Sequence, residues 1–103
     1  MNTFKVILCL QFRKHGSYAL NGSYTLYNVM QMPFPPFKDL IITGNYVFKV
    51  DQINWFSEEH GGNYFMVREG IENAITFDET WDTRIEWFLQ NGWSEAKNIK
   101  ELN

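Results

Sequence analysis

Few side chains in this sequence could support nucleophilic or acid–base catalysis. The chain has one cysteine, Cys9, and two histidines, His15 and His60. A Cys–His pair is the strongest enzymatic hypothesis, because a histidine can activate a thiol for attack on a substrate. Cys9, however, lies within an apolar run, without a helix N-terminus or a glycine-rich turn beside it to activate it. We therefore predict that the protein is not an enzyme, and a Cys- or His-centred site remains an alternative.

A metal or cofactor site has equally little support. Glu58, Glu59 and His60 are three potential ligands in a row. No second cluster accompanies them, and metal sites usually draw ligands from more than one place in a chain. The Gly61-Gly62 pair lacks the lysine, the Ser or Thr and the helix start of a phosphate-binding loop. The sequence predicts neither a metal nor a cofactor.

The composition is that of one small globular domain with a surplus of aromatic rings. The 103 residues are 45% apolar and 20% charged, and they include nine Phe, five Tyr and four Trp. Such rings build a dense core and often leave some for binding. No apolar run approaches the roughly 20 residues of a membrane helix, and residues 6–10 are too short a run for a signal peptide. We expect a cytoplasmic protein.

Charge is unevenly distributed along the chain. Up to residue 57, five basic and two acidic residues give +3, whereas from Glu58 to Glu86 eight acidic and two basic residues give −6. An acidic half disfavours direct contact with phosphates and favours a basic partner surface. A simpler explanation of the acidic residues, that they form a solvated surface without a binding role, stays open.

Two long segments have the alternation of β-strands. In residues 3–13 the even-numbered side chains are apolar, which predicts a half-buried strand. The alternation returns in residues 23–32, where Asn28 interrupts the apolar face. Turn signals between the two segments predict an antiparallel pair with a long connection.

A proline-rich turn separates this pair from the next elements. Three prolines in residues 33–37 remove backbone donors, so the strand must stop there, and the turn exposes Phe34 or Phe37. A short strand is predicted at 40–42, and Gly44-Asn45 marks a tight turn.

The next strand has a change of phase. Val50 and the even-numbered apolar residues before it share one face, but Ile53 and Trp55 have the opposite parity. Either both faces of this strand are covered, or a bulge near Asp51-Gln52 shifts the phase. Residues 64–69 are predicted as the last strand.

A helix near the C-terminus has the clearest boundaries. Thr76 and Glu79 fit a capping box, with Thr76 as the N-cap. Asn91-Gly92 marks the helix end, after which Trp93 can fold back as a hydrophobic cap. One apolar stripe at helical spacing consists of Phe77, Trp81, Ile85, Phe88 and Leu89.

Together these elements predict one α+β domain over residues 1–93. It has about five mostly antiparallel strands, forming an open sheet or a small barrel, with one C-terminal helix packed on it. Residues 94–103 are a tail that forms a short helix or frays.

Three short runs stand out in combination. They are Pro-Phe-Pro-Pro-Phe at 33–37, Val-Asp-Gln-Ile-Asn-Trp at 50–55 and Asn-Gly-Trp at 91–93, with Leu40 between the first two. In this combination the chain resembles small uncharacterised bacterial and phage-type proteins. The resemblance spans residues 32–93 and implies a hydrophobic strand ending near Trp and a terminal helix, but no activity.

The functional prediction is a non-catalytic protein-binding module that binds no membrane. One concrete version is a small phage- or mobile-element-type inhibitor that occupies a basic site on a nucleic-acid-handling protein. An alternative is a small-ligand or single-stranded nucleic-acid binder that uses the sheet face, with Lys5, Arg13 and Lys49 along it. Acidic groups and surplus rings make up the predicted binding residues: Glu58, Glu59, Glu72, Asp78, Asp82, Glu86, Trp87, Trp93 and Phe34.

Overall fold

The structure is a computed structural model that describes residues 3–14, 23–57, 62–70, 75–77 and 81–95. In residues 13–14, 23, 75–77 and 81–84 only the backbone is described. Within these ranges the architecture is broadly α+β, mostly strand with one short helix.

A long antiparallel pair at the N-terminus organises the fold. β1 (Phe4–Lys14) pairs with β2 (Ser23–Met32) in a register that runs from Phe4 opposite Met32 to Arg13 opposite Ser23. The prediction of this pair is confirmed. β2 ends at Met32 because Pro33 begins a segment that cannot donate to a ladder.

The larger sheet is mixed and open. Its order is β2-β1-β6-β5, in which β6 (Tyr64–Arg68) runs parallel to β1 and β5 (Gln52–Phe56) antiparallel to β6. β7 (Ile75–Phe77) pairs in parallel with the C-terminal end of β1. Two of the four pairings in this sheet are therefore parallel. With the second, two-stranded sheet included, three of the five pairings are antiparallel, which agrees with the expected mostly antiparallel strands. The described residues hold seven strands rather than about five, and the strand at 64–68 is not the last.

A small hairpin forms the second sheet. β3 (Ile41–Thr43) and β4 (Val47–Lys49) pair around the Gly44-Asn45 turn, as expected. Val50 continues the hairpin with backbone bonds to Asp39 and Leu40, and the next amide, of Asp51, donates to Arg68 in the larger sheet.

The expected change of phase falls at this crossing. Val50 is fully buried, and Ile53, of the opposite parity, packs against the same core cluster. The phase shift near Asp51 is therefore present. It arises because the chain passes from one sheet to the other, and not from one strand covered on both faces.

The helix starts later than predicted. α1 comprises Trp81–Gln90, and Thr76 lies in β7 rather than at a helix N-cap. Phe77 also lies in β7 and not on the helix stripe. Ile75, Thr76 and Phe77 are β-branched or aromatic residues that suit a strand, and pairing with β1 satisfies their backbone groups. This tertiary pairing overrides the local capping signal.

The helix ends as predicted. Gly92 has φ 95°, and the Trp93 amide donates to the Phe88 carbonyl over 3.1 Å, which is the Schellman pattern. The Trp93 ring folds back to within 6.0 Å of the Phe88 ring and is 5% exposed. Trp93 is thus a hydrophobic cap.

Two expectations about burial are wrong. Leu89 is 42% exposed, because the buried face of α1 is centred on Ile85 and Phe88 and Leu89 lies to one side of it. β1 is buried on both faces rather than half-buried, with Ile7 and Cys9 at 0% and 2% exposure. It is a central strand, with β2 on one side and β6 and β7 on the other.

The start of the predicted tail is held by the sheet. Ser94 forms an antiparallel bridge with Tyr27 through two backbone hydrogen bonds of 2.9 Å. Residues 96–103 lie outside the described residues. No helix in the described part of the chain is long and apolar enough to cross a membrane.

Candidate functional site

The predicted binding residues fall into three groups. Four of them lie outside the described residues: Glu58, Glu59, Glu72 and Asp78. Asp82 lies in α1, where only its backbone is described. Glu86 is exposed, and Trp87 and Phe34 are each 44% exposed. Trp93 is part of the core and cannot serve as an exposed anchor, because its ring packs on Phe88.

The solvent side of α1 combines acid with apolar surface. We call Glu86, Trp87 and Leu89 the α1 outer face; all three are exposed. The Trp87 ring stands edge-on against the Phe88 ring at 4.9 Å, and the Asn91 side-chain amide donates to the Trp87 carbonyl over 2.7 Å. The indole therefore contacts the buried Phe88 ring, while much of its surface meets solvent. Leu89 was not predicted to be exposed.

The proline-rich turn also presents rings to solvent. Phe34 is 44% and Phe37 53% exposed, and their ring centroids are 6.1 Å apart. The sequence predicts that the turn exposes Phe34 or Phe37, and in the structure both rings are exposed. Pro36, which lies between the two in sequence, is buried.

The hairpin has an apolar outer surface that the sequence analysis did not assign. Ile41 and Val47 are 57% and 58% exposed, whereas Phe48 between them in the ladder points inward and is buried. Lys49 and Asp39 form an exposed ion pair of 3.8 Å, which adds little stability. The alternation within residues 41–49 could have predicted this surface, because neighbouring residues of a strand face opposite sides of a sheet.

One carboxylate holds the hairpin against the larger sheet. The Tyr46 hydroxyl donates to Glu69 Oε2 over 3.0 Å, and the Lys49 backbone amide donates to Glu69 Oε1 over 3.0 Å. Burial, followed by the Glu69 charge and its hydrogen bond, raises the pKa of Tyr46 to about 12. Glu69 immediately follows β6, so it fixes β4 over the end of that strand.

A cleft lies between the hairpin, the β1–β2 pair and the helix end. Its volume is about 170 Å³. Asn28, which interrupts the apolar face of β2, lines it together with Thr43, Asn45, Tyr46 and Trp93. The Asn45 amide donates to the Asn91 carbonyl over 3.2 Å. The Asn28 side chain makes no hydrogen bond within the described residues, so its amide can offer a donor and an acceptor to a small ligand.

Cys9 lies in a different environment from that of a reactive thiol. It is 2% exposed, and burial raises the pKa of its thiol to about 11, which the nearby Arg68 offsets only in part. The thiolate is the nucleophile, so a thiol protonated at neutral pH is inert. His15 and His60 lie outside the described residues. No cluster of metal-ligating side chains occurs within the ranges that the structure describes.

The basic residues of the nucleic-acid alternative do not share one sheet face. Lys5 belongs to the larger sheet, with its Nζ 5.9 Å from the centre of the Tyr64 ring. Lys49 belongs to the hairpin and pairs with Asp39. The side chain of Arg13 lies outside the described residues. The expectation that the three basic residues line one sheet is wrong, because β4 is in a separate sheet.

Comparisons with known proteins give no relative. No protein-family model, no curated protein and no solved structure matches the chain.

Proposed function

We propose that this chain is a non-catalytic protein-binding module that contacts its partner through the α1 outer face. The observation that supports it is the exposure of Trp87 and Leu89, at 44% and 42%, beside the carboxylate of Glu86. Exposed apolar side chains rimmed by charge are typical of protein-binding surfaces, and tryptophan is enriched among residues that dominate binding energy.

The partner that fits this surface is a protein with a basic site. The chain carries a net charge of −3, and its acidic residues are concentrated from Glu58 to Glu86. Such a charge distribution attracts a basic surface over a distance and repels phosphates. Proteins that handle nucleic acids have basic sites of this kind. We therefore propose a small phage- or mobile-element-type inhibitor of such a protein, in line with the resemblance of residues 32–93.

Two substitutions separate the roles of charge and ring. Glu86→Lys is expected to slow association several-fold and to weaken its dependence on salt, because a long-range attraction is removed. Trp87→Ala is expected to speed dissociation tenfold or more, because a desolvated ring supplies much of the residence time. The measurement is affinity capture from the producing cell with quantitative mass spectrometry, followed by binding kinetics on the captured protein.

The control is Gln52→Ala, an exposed polar residue on β5 and not on α1. This variant is expected to bind as the unmodified chain does. If Trp87→Ala and Glu86→Lys retain the same partner with unchanged rates and salt dependence, the α1 outer face is not the binding surface. Thermal unfolding of each variant shows whether a lost partner reflects lost folding.

A small-ligand binder is the second candidate, and the cleft at Asn28 favours it. A volume of about 170 Å³ lies below the range of drug-sized pockets, roughly 300–1,000 Å³, so the ligand would be small. The Asn28 amide can recognise a planar group that both donates and accepts hydrogen bonds, such as an amide or a nucleobase, beside the rings of Tyr46 and Trp93.

This candidate predicts a localised response to simple probes. Titration with free nucleobases and small amides is expected to shift the NMR signals of Asn28 and Asn45, and Asn28→Leu is expected to abolish those shifts. Shifts spread evenly over the surface, or retained in Asn28→Leu, would contradict a ligand site in the cleft.

A further inference from the structure

The small hairpin has an unoccupied outer edge at β3, on the side that faces away from β4. Within the described residues β3 pairs only with β4. The structure describes residues 23–57 without a gap, so the connections on both sides of β3 are described. Ile41 is 57% exposed, and Thr43 is also exposed. Neither residue has a hydrogen bond outside the β3–β4 pair in the part of the chain that the structure describes.

The hydrogen bonds of the hairpin show which backbone groups of β3 point outward. The Val50 amide donates to the Leu40 carbonyl across the hairpin, whereas the preceding amide, of Lys49, points away from β3 and donates to Glu69. Hydrogen-bonded and non-hydrogen-bonded residue pairs alternate along an antiparallel ladder. Ile41, the partner of Lys49, therefore directs its N–H and C=O groups to the outer edge, as does the last residue of β3.

This outer edge is complementary to itself. In an antiparallel pair of two copies centred on Ile42, Ile41 of each copy lies opposite Thr43 of the other. Because these two residues carry the outward groups, each of the two Ile41–Thr43 pairs forms two hydrogen bonds, and every outward N–H and C=O finds a partner. Leu40 falls opposite Gly44 of the other copy, which has no side chain to obstruct it and nothing within 4 Å of its Cβ position.

The side chains of β3 suit such a pair. All three are β-branched, a class that packs well in strands. On the exposed face of the hairpin, Ile41 lies opposite Thr43 of the other copy and diagonal to Ile41 of the other copy. On the inner face, the two partly buried Ile42 side chains lie opposite each other. Each copy therefore covers apolar surface that the other leaves exposed.

The charge of this region also favours the approach of two copies. The chain as a whole has a net charge of −3, but residues 33–50 contain two lysines and one aspartate and therefore carry +1. Lys49 and Asp39 form their ion pair within each copy. β3 itself contains no charged residue, so no like charges face each other across the pair. The hairpin thus gives two acidic chains a place to meet without strong repulsion.

We propose that two copies of this chain associate through antiparallel pairing of their β3 strands, centred on Ile42. The two hairpins then form one four-stranded sheet across a two-fold axis. This contact is separate from the α1 outer face and does not depend on the proposed function. Strands of three residues bury far less than the roughly 1,600 Å² of a standard interface, so we expect a reversible dimer with a dissociation constant on the order of 100 µM.

Sedimentation equilibrium of the purified chain at concentrations up to about 1 mM tests the proposal. The unmodified chain is expected to shift from one-chain to two-chain mass as concentration rises. Thr43→Pro removes a donor that β3 uses only across the two-fold axis, so half of the hydrogen bonds between the copies are lost while the hairpin keeps its own. We expect this variant to weaken the dimer roughly tenfold or more.

Ile41→Glu and Val47→Glu provide a matched comparison, because the two side chains are 57% and 58% exposed on the same face of the hairpin. Only Ile41 lies in the strand that pairs. Ile41→Glu places like charges diagonally across the axis and is expected to weaken the dimer roughly tenfold. Val47→Glu, one strand further away, is expected to change the dissociation constant by less than about twofold. Circular dichroism and thermal unfolding establish that each variant is folded.

A one-chain mass for the unmodified chain at all concentrations up to about 1 mM overturns the proposal. So does a dimer that the folded Thr43→Pro and Ile41→Glu variants leave unchanged, or one that Val47→Glu weakens as much as Ile41→Glu does. A dimer that is lost in Trp87→Ala and kept in the β3 variants also overturns it, and assigns the contact to the α1 outer face.

Discussion

Replacing Phe88 by alanine is expected to lower the free energy of unfolding by about 3–5 kcal/mol. Phe88 is 7% exposed and joins the helix to the rest of the core. The ring centroids of Phe12 on β1, Tyr46 before β4 and Trp93 after the helix lie 5.4, 5.6 and 6.0 Å from its own. Removal of the ring leaves a cavity where these elements meet, and the loss is a large part of the stability of a small domain.

Urea unfolding followed by circular dichroism measures this effect. The matched control is Leu89→Ala, the next residue of the same helix, which is 42% exposed and is expected to lose less than about 1 kcal/mol. A loss of under about 1 kcal/mol for Phe88→Ala would contradict the packing of α1 against the core.

The second large effect is expected at Glu69. Glu69→Ala should lower the free energy of unfolding by about 2–3 kcal/mol, because the Tyr46 hydroxyl and the Lys49 amide both lose a charged acceptor. Tyr46→Phe removes only one of these bonds and should cost about 1 kcal/mol. The same unfolding measurement ranks the two variants. Equal losses would mean that the Lys49 bond contributes nothing.

The same contact predicts a loss of stability at high pH. Tyrosine ordinarily ionises near pH 10, whereas burial and the Glu69 carboxylate raise the pKa of Tyr46 to about 12. Since the folded-state pKa is raised, this contribution is complete below pH 10 and is lost as pH rises from 10 to 12. In Tyr46→Phe the free energy of unfolding, measured by urea unfolding, is expected to fall less steeply between pH 10 and 12. An equally steep fall in this variant would contradict the contact between Tyr46 and Glu69.

Local patterns predicted the elements whose partners lie nearby in sequence. The alternation in residues 3–13 and 23–32 fixed which side chains of β1 and β2 share a face, and the observed register preserves it. The Asn91-Gly92 signal predicted the helix end for a similar reason, because a positive φ at Gly92 is a local requirement.

Long-range pairing accounts for the errors. Thr76 has the local chemistry of an N-cap, but β1 lies alongside it and its backbone groups pair there instead. Ile7 and Cys9 were expected on an outward face, and no local pattern could show that β6 would place Tyr64 and Met66 beside them. Trp87 is not part of the predicted apolar stripe of the helix, and its side chain is exposed. The exposure of Leu89 depended on which residues of α1 pack against the core.

The pairing of β1 also bears on how the chain folds during synthesis. β1 is made first, yet β6 and β7, which complete its second edge, are made after most of the chain has emerged. Val6, Leu10 and Phe12 share a core cluster with Ile85, Phe88 and Trp93, which come later still, so their packing is incomplete until the helix is made. Contacts between residues so distant in sequence close slowly. The apolar faces of β1 therefore receive their full set of partners only when the later segments are available, and apolar surface left open until then is of the kind that favours aggregation.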